Sequence, residues 1–366
     1  MKVFTCQACS QLVYFENVKC ENCGHALGYI AALNEISAIE PLEDGNFKAL
    51  AEPQSLYSFC NNAQYGVCNW LVPADDATGY CVACRHNRTI PDLSQAGNDL
   101  LWGRLERAKH RLFYTLLRLR MPLHNRVDDP EHGLAFDFLQ DAPVSHAVDV
   151  MTGHNNGLVT LALKEADDAG RERVRTEMGE PYRTLLGHFR HETGHHYWET
   201  LIATDTALLE QCRTLFGDDR ADYVTALQKH YADGAPADWQ ENFVSAYASS
   251  HPWEDFAETW AHYLHIVDTL ETAYAFGMSV NPDAAHGEHS AEADFDPLAA
   301  KGMQRIIDRW LPISFAMNSL NRSMGYPDLY PFVLTPAVID KLAFIHTITH
   351  FANRNSEAQT LAAEPT

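Results

Sequence analysis

Apolar residues recur at helical spacing through most of the chain beyond residue 98. Over residues 99–120 (DLLWGRLERAKHRLFYTLLRLR), Leu101, Leu105, Leu112, Leu116 and Leu119 fall on one face, which predicts an amphipathic helix stopped by Pro122. Its Arg and Lys side chains are expected on a solvated face. The same periodicity predicts helices over 166–178, 182–202, 206–216, 221–231, 253–275, 296–317 and 336–351. Two segments read as strands: 133–139 (GLAFDFL), which alternates, and 157–163 (GLVTLAL), which is β-branched and apolar. Residues 85–98 are polar, contain Pro91 and Gly97 and mark a linker, 279–296 is a polar loop, and 356–366 is a small polar tail expected to be disordered. The expected fold class is α+β, a helix-rich domain with few strands behind a small N-terminal module.

That module is defined by cysteine rather than by periodicity. Eight of the nine cysteines lie in the first 84 residues. Cys6-x2-Cys9 and Cys20-x2-Cys23 form two knuckles, and Gly24 can supply the positive φ that such a turn needs. Two facing knuckles make a tetrahedral site of four sulfurs, the usual closed structural zinc site, with iron as the rival ion. Cys60, Cys68, Cys81 and Cys84 form a second group of less regular spacing, in which His86 is an alternative ligand. Cys212 sits in a helical apolar pattern and reads as a buried thiol. The predicted organisation is a zinc-ribbon module with two four-cysteine metal sites over 1–95, a helix-rich domain over 96–355 and the tail over 356–366.

Composition limits the function classes. With 27 Lys+Arg against 49 Asp+Glu the net charge is −22, and residues 1–95 hold five basic against ten acidic residues, so no nucleic-acid partner is expected. No run approaches the roughly 18 uninterrupted apolar residues of a membrane span. The opening MKVFTCQACS lacks the apolar segment of an export signal, so a cytoplasmic location is expected, where thiols serve as metal ligands rather than disulfides.

The chemistry-bearing stretch is LLGHFRHETGHHYW, residues 185–198. His191 and His195 are one helical turn apart and can meet one ion, with Glu192 beside it to accept a proton from water. Gly194 in a helix interior costs about 1 kcal/mol relative to Ala and implies a close neighbour. A catalytic zinc needs a third protein ligand. The residues after His195 lack the His-x-x-Gly-x-x-His continuation of a metzincin, which leaves a carboxylate from a later helix. Glu254 and Glu258 lie four apart, so one can bind the metal while the other hydrogen-bonds an imidazole. His188, His196, His262 and His265 read as helix-face or core histidines, and Asp255 as a solvent-facing or helix-start charge.

These segments carry a resemblance. HETGH with a downstream EDFAE resembles the Glu-ligated zincin metallopeptidases, the class of thermolysin and anthrax lethal factor. The whole layout, namely the cysteine module, RTLLGHFRHETGHHYW and HPWEDFAETWAHYLH, is similar to a bacterial family of zinc-binding metallopeptidases that carry an N-terminal zinc ribbon. The resemblance implies a zincin-like fold, Glu254 as third ligand with Glu258 behind it, and Tyr247, seven residues earlier, as donor to the oxyanion. It further implies zinc-dependent peptide hydrolysis with Glu192 as general base, one catalytic and two structural Zn2+, and a peptide or protein substrate. The strand at 157–163 is expected to offer an edge to an extended peptide, and the ribbon to contact a protein partner or restrict access. The competing reading is a non-catalytic zinc-binding adaptor that uses the ribbon for protein contacts.

Overall fold

The computed structural model describes residues 1–140, 152–168, 170–172, 184–283 and 289–363, with side chains up to residue 350. The chain packs as two compact units, one of residues 1–118 and 123–174, the other of residues 119–122 and 175–366.

The first unit begins with a hairpin, β1 (Phe4–Thr5) and β2 (Leu12–Val13), whose turn is the first knuckle, and the second knuckle follows it. The knuckles are built alike. Ser10 N–H donates to Cys6 O and Gly24 N–H to Cys20 O, both at 2.8 Å, and both residues have positive φ, 61° and 81°. Five short strands follow: β3 (Ala26–Ile30), β4 (Glu35–Pro41), β5 (Phe47–Ala49), β6 (Leu56–Phe59) and β7 (Trp70–Pro73). They close into a barrel through parallel pairing of β3 with β7. Ile30, Ile39, Ala49, Tyr57 and Leu71 fill it, and Leu71 presses so near Gly28 that a Cβ there would meet its Cγ at 2.5 Å.

Helix α1 (Asn98–Arg118) buries Leu105, Leu112 and Leu116 of its predicted stripe together with Trp102 and Phe113, whereas Leu101 is only half-buried. Its charged face is not all solvated, because Glu106 and Lys109 are fully buried. A four-stranded sheet contains β8 (Asn87–Thr89), β9 (Ala135–Leu139), β10 (Gly153–Asn155) and β11 (Leu158–Ala162) in the order β10-β11-β9-β8. The strand expected to receive a peptide on its edge is therefore interior. β11 pairs antiparallel with β10 and parallel with β9, so both of its hydrogen-bonding edges are occupied.

The second unit is helical. Helix α2 (Leu185–Tyr197) runs into a π-helical turn, Trp198–Ile202. Then come α3 (Thr206–Phe216), α4 (Tyr223–Asp233) and the central α5 (Pro252–Ala275), buried on nearly every side. The loop expected at 279–296 carries a two-residue hairpin, β12 (Ser279–Val280) with β13 (Ala291–Glu292), and its residues 284–288 lie outside the described residues. Helix α6 (Met303–Ser323) starts later than the periodicity implies, because Pro297 opens a separate 3-10 turn and Gly302 takes the position before the first helical residue. Helix α7 (Pro336–Ala363) runs into the segment expected as a tail, and 364–366 lie outside the described residues. The helix expected at 166–178 falls largely outside them too.

Candidate functional site

Helix α2 presents His191, Glu192 and His195. Thr184 caps its start, with Oγ1 accepting the Gly187 N–H at 2.9 Å. The Nε2 atoms of His191 and His195, one turn apart, stand 3.2 Å from each other. Helix α5 crosses α2 at Gly194, where a Cβ would come 2.9 Å from Ala257 Cα and 3.2 Å from Trp260 Cβ. Glycine is thus what lets the two backbones approach, the neighbour that its helix position implied. On the far side, the buried Arg190 ties α2 to His265 and Asp268 of α5.

This crossing sets the first turns of α5 against the imidazoles. Glu254 Oε2 lies 3.0 Å from His191 Nε2 and 3.5 Å from His195 Nε2. That oxygen is buried and accepts no hydrogen bond. Tetrahedral ligands at about 2.0–2.1 Å from one zinc ion stand about 3.3 Å apart, so the three donor atoms fit a single ion. Glu258, one turn on, takes the other side of His191. It accepts Nδ1–H at 2.7 Å, and its second oxygen accepts the Ser245 hydroxyl at 2.6 Å. A carboxylate on Nδ1 holds the ring with Nε2 free for metal.

The field of the cluster favours a cation here. His191 is raised well above its ordinary range, since Glu254 and Glu258 together outweigh the burial that opposes its charge. Glu254 is buried and Glu258 half-buried, yet Glu254 is held well below the usual carboxylate range by His195 and His191, and Glu258 is drawn down to about 2 by His191. Glu192 is nearly buried at 8% exposure, and no hydrogen bond or ion pair among the described residues ties its carboxylate down.

Tyr247 is half-buried, its ring 6.0 Å from that of His191. A second phenol, absent from the sequence reading, stands beside it. The Tyr223 hydroxyl donates to Glu254 Oε1 at 2.6 Å. Burial, then Glu254 and more weakly Glu192, raise the Tyr223 phenol above its ordinary range, while a hydrogen bond with Tyr247 opposes the rise. Trp253 stacks on His195 with ring centroids 3.7 Å apart. Asp255 is buried rather than solvent-facing and pairs with Lys341 at 2.6 Å. His196, His262 and His265 are buried, and burial pushes the Cys212 thiol up to about 12.

In the first unit the sulfurs gather as two quartets. Cys6, Cys9, Cys20 and Cys23 converge, with Cys6–Cys23 and Cys9–Cys20 Sγ pairs at 3.6 Å. Cys60, Cys68, Cys81 and Cys84 converge separately, all buried. His86 is not among them, and its Nδ1 contacts Val82 O at 2.6 Å. Helix α1 walls the second quartet with His110, whose Nε2 is 3.7 Å from Cys84 Sγ, and with Glu106. Glu106 is not free to bind an ion. Lys109 Nζ lies 2.9–3.0 Å from both of its oxygens, and Asn87 and Trp102 also donate to it. Only contact across the fold reveals Tyr223, Ser245, Glu106 and His110, which lie in no motif.

Residues 98–348 match a family described as "Putative zinc-binding metallo-peptidase", and residues 3–95 match a zinc-ribbon domain. The chain is 44% identical over 348 residues, 95% of either sequence, to uncharacterized proteins of Mycobacterium bovis and of two strains of Mycobacterium tuberculosis. No solved structure matches. No helix among the described residues is long and apolar enough to cross a membrane.

Proposed function

The chain belongs to this family of zinc-binding metallopeptidases with an N-terminal zinc ribbon, and from that premise we propose that it hydrolyses peptide bonds, with Glu192 as general base. One observation carries the reading: Glu254 Oε2, buried without a hydrogen bond, faces two imidazole nitrogens at 3.0 and 3.5 Å, beside a Glu192 that no hydrogen bond or ion pair among the described residues ties down. His191, His195 and Glu254 would hold the ion. A zinc ion in such a site supplies Lewis acidity and makes water nucleophilic near neutral pH. Glu192 takes the proton of the attacking water and returns it to the leaving amine. Glu258 and Ser245 keep His191 oriented throughout. Tyr247 donates to the oxyanion, a role typically worth about 2.7–4 kcal/mol.

The two cysteine quartets hold structural ions, giving three Zn2+ per chain with two in the ribbon region. Eight clustered cysteines outside any disulfide suit a reducing compartment, which supports a cytoplasmic location. A peptide or protein is the substrate, and the ribbon contacts a protein partner.

Glu192→Gln is the test. It is expected to keep three zinc ions per chain by elemental analysis and to lose cleavage of a mixed peptide library. A wild type that holds the metal and cleaves nothing in that library would turn the reading to the adaptor.

A further inference from the structure

Glu254 offers two oxygens, and the structure treats them differently. Oε2 faces the imidazoles, whereas Oε1 accepts the Tyr223 hydroxyl at 2.6 Å. A carboxylate with both oxygens free can chelate one ion through both, filling a position that a catalytic zinc must keep open for water or substrate. A hydrogen bond on one oxygen confines the ligand to the other.

Tyr223 is itself firmly placed. It is the first residue of α4, after Asp222, whose carboxylate accepts the Thr225 N–H at 2.8 Å. Its ring stands edge-on to His251 at 5.2 Å and to Trp253 at 5.6 Å, the residues that precede Glu254. His251 also reaches back to Ala221 O at 3.0 Å and caps α5 by accepting the Trp253 N–H at 3.1 Å. Residues 221–223 and 251–254 are therefore strapped together at several points, and the phenol lies at the end of the strap. Helix α4 has no fully buried residue among those described, so packing alone does not explain an aromatic here.

We propose that Tyr223 is a positioning residue of the metal centre, holding Glu254 as a one-oxygen ligand so that the fourth position stays open. This rests on the reading of His191, His195 and Glu254 as the catalytic zinc site.

The test uses full-length zinc-loaded protein, with Tyr223→Phe compared to wild type and His191→Ala marking the signal of the other two ions. Zinc transfer to a competing chelator gives affinity, and visible absorption after cobalt(II) exchange reports coordination number. Tyr223→Phe is expected to bind the catalytic ion about 10–100-fold more weakly. Its cobalt bands are expected to weaken as a fifth donor enters, with the helical circular dichroism unchanged. Incorporating 3-fluorotyrosine at 223, which keeps the donor, is expected to restore the wild-type values and serves as the second variant if Tyr223→Phe does not fold. Equal zinc affinity and equal cobalt spectra for Tyr223→Phe and wild type would overturn the proposal while leaving the site reading intact. A wild type that releases no more zinc than His191→Ala would remove both.

Discussion

The two units secure their metal donors by opposite means. In the first, eight sulfurs sit on knuckles, turns and strand ends beside the small barrel, segments too short to hold such a cluster of donors alone, so a bound ion is expected to supply part of the folding energy. In the second, three donors project from long helices already locked together by Gly194, Arg190 and the Glu258–His191 bond. On the proposed reading, one region is assembled around its ions, and the other is prepared for one. A closed thiolate centre serves structure, while a preorganised site with an open position serves chemistry.

Removing zinc tests this contrast most severely. After exhaustive chelation under reducing conditions, amides of residues 1–95 are expected to exchange with deuterium at unfolded rates, while those of α2 and α5 keep their protection. Loss of protection in both would erase the distinction. Next in size is Lys109→Met, which strands the buried Glu106 beside the second quartet. It is expected to cost about 3–5 kcal/mol, read as a lower urea midpoint for the first unit with the catalytic ion still bound. Gly194→Ala reverses the target. Its Cβ meets the Ala257 backbone, and a cost of about 1–3 kcal/mol should accompany weaker binding of the catalytic ion, with both cysteine centres unaltered.

The smallest effect concerns pH. Burial, then His350, holds His346 of the helical unit down to about 4 from an ordinary 6.5. The unfolded chain takes the proton first, so this contribution is complete above pH 6.5 and is lost as pH falls towards 4. At pH 5.5 the loss is about 1.4 kcal/mol, and His346→Gln should flatten the decline in thermal midpoint between pH 7 and 5.

The helical unit was the more legible half because its signals are local. The 206–216 periodicity meets α3 at both ends, and HETGH needs only one turn of helix to make sense. Glu254 and Glu258 were legible as a pair, but only the crossing at Gly194 assigns one to Nε2 and the other to Nδ1. The barrel left no readable trace, since β5 has three residues and β6 four, too few for an alternation to emerge, and the longer β4 buries four successive residues instead of alternating. Lys109 and Glu106 look like an ordinary solvated pair, and nothing in their spacing tells that a thiolate cluster lies behind them. Tyr223 is inconspicuous in sequence because its partner is 31 residues away.

The Trp253–His195 stack gives the second unit an optical handle. An indole 3.7 Å from an imidazole of the proposed zinc site shares its electronic environment, so its emission is expected to respond when that ring gains or loses a cation. Trp253→Phe, which leaves the other six tryptophans of the chain in place, is expected to remove that response. Titrations of the unlabelled protein can follow it without a dye.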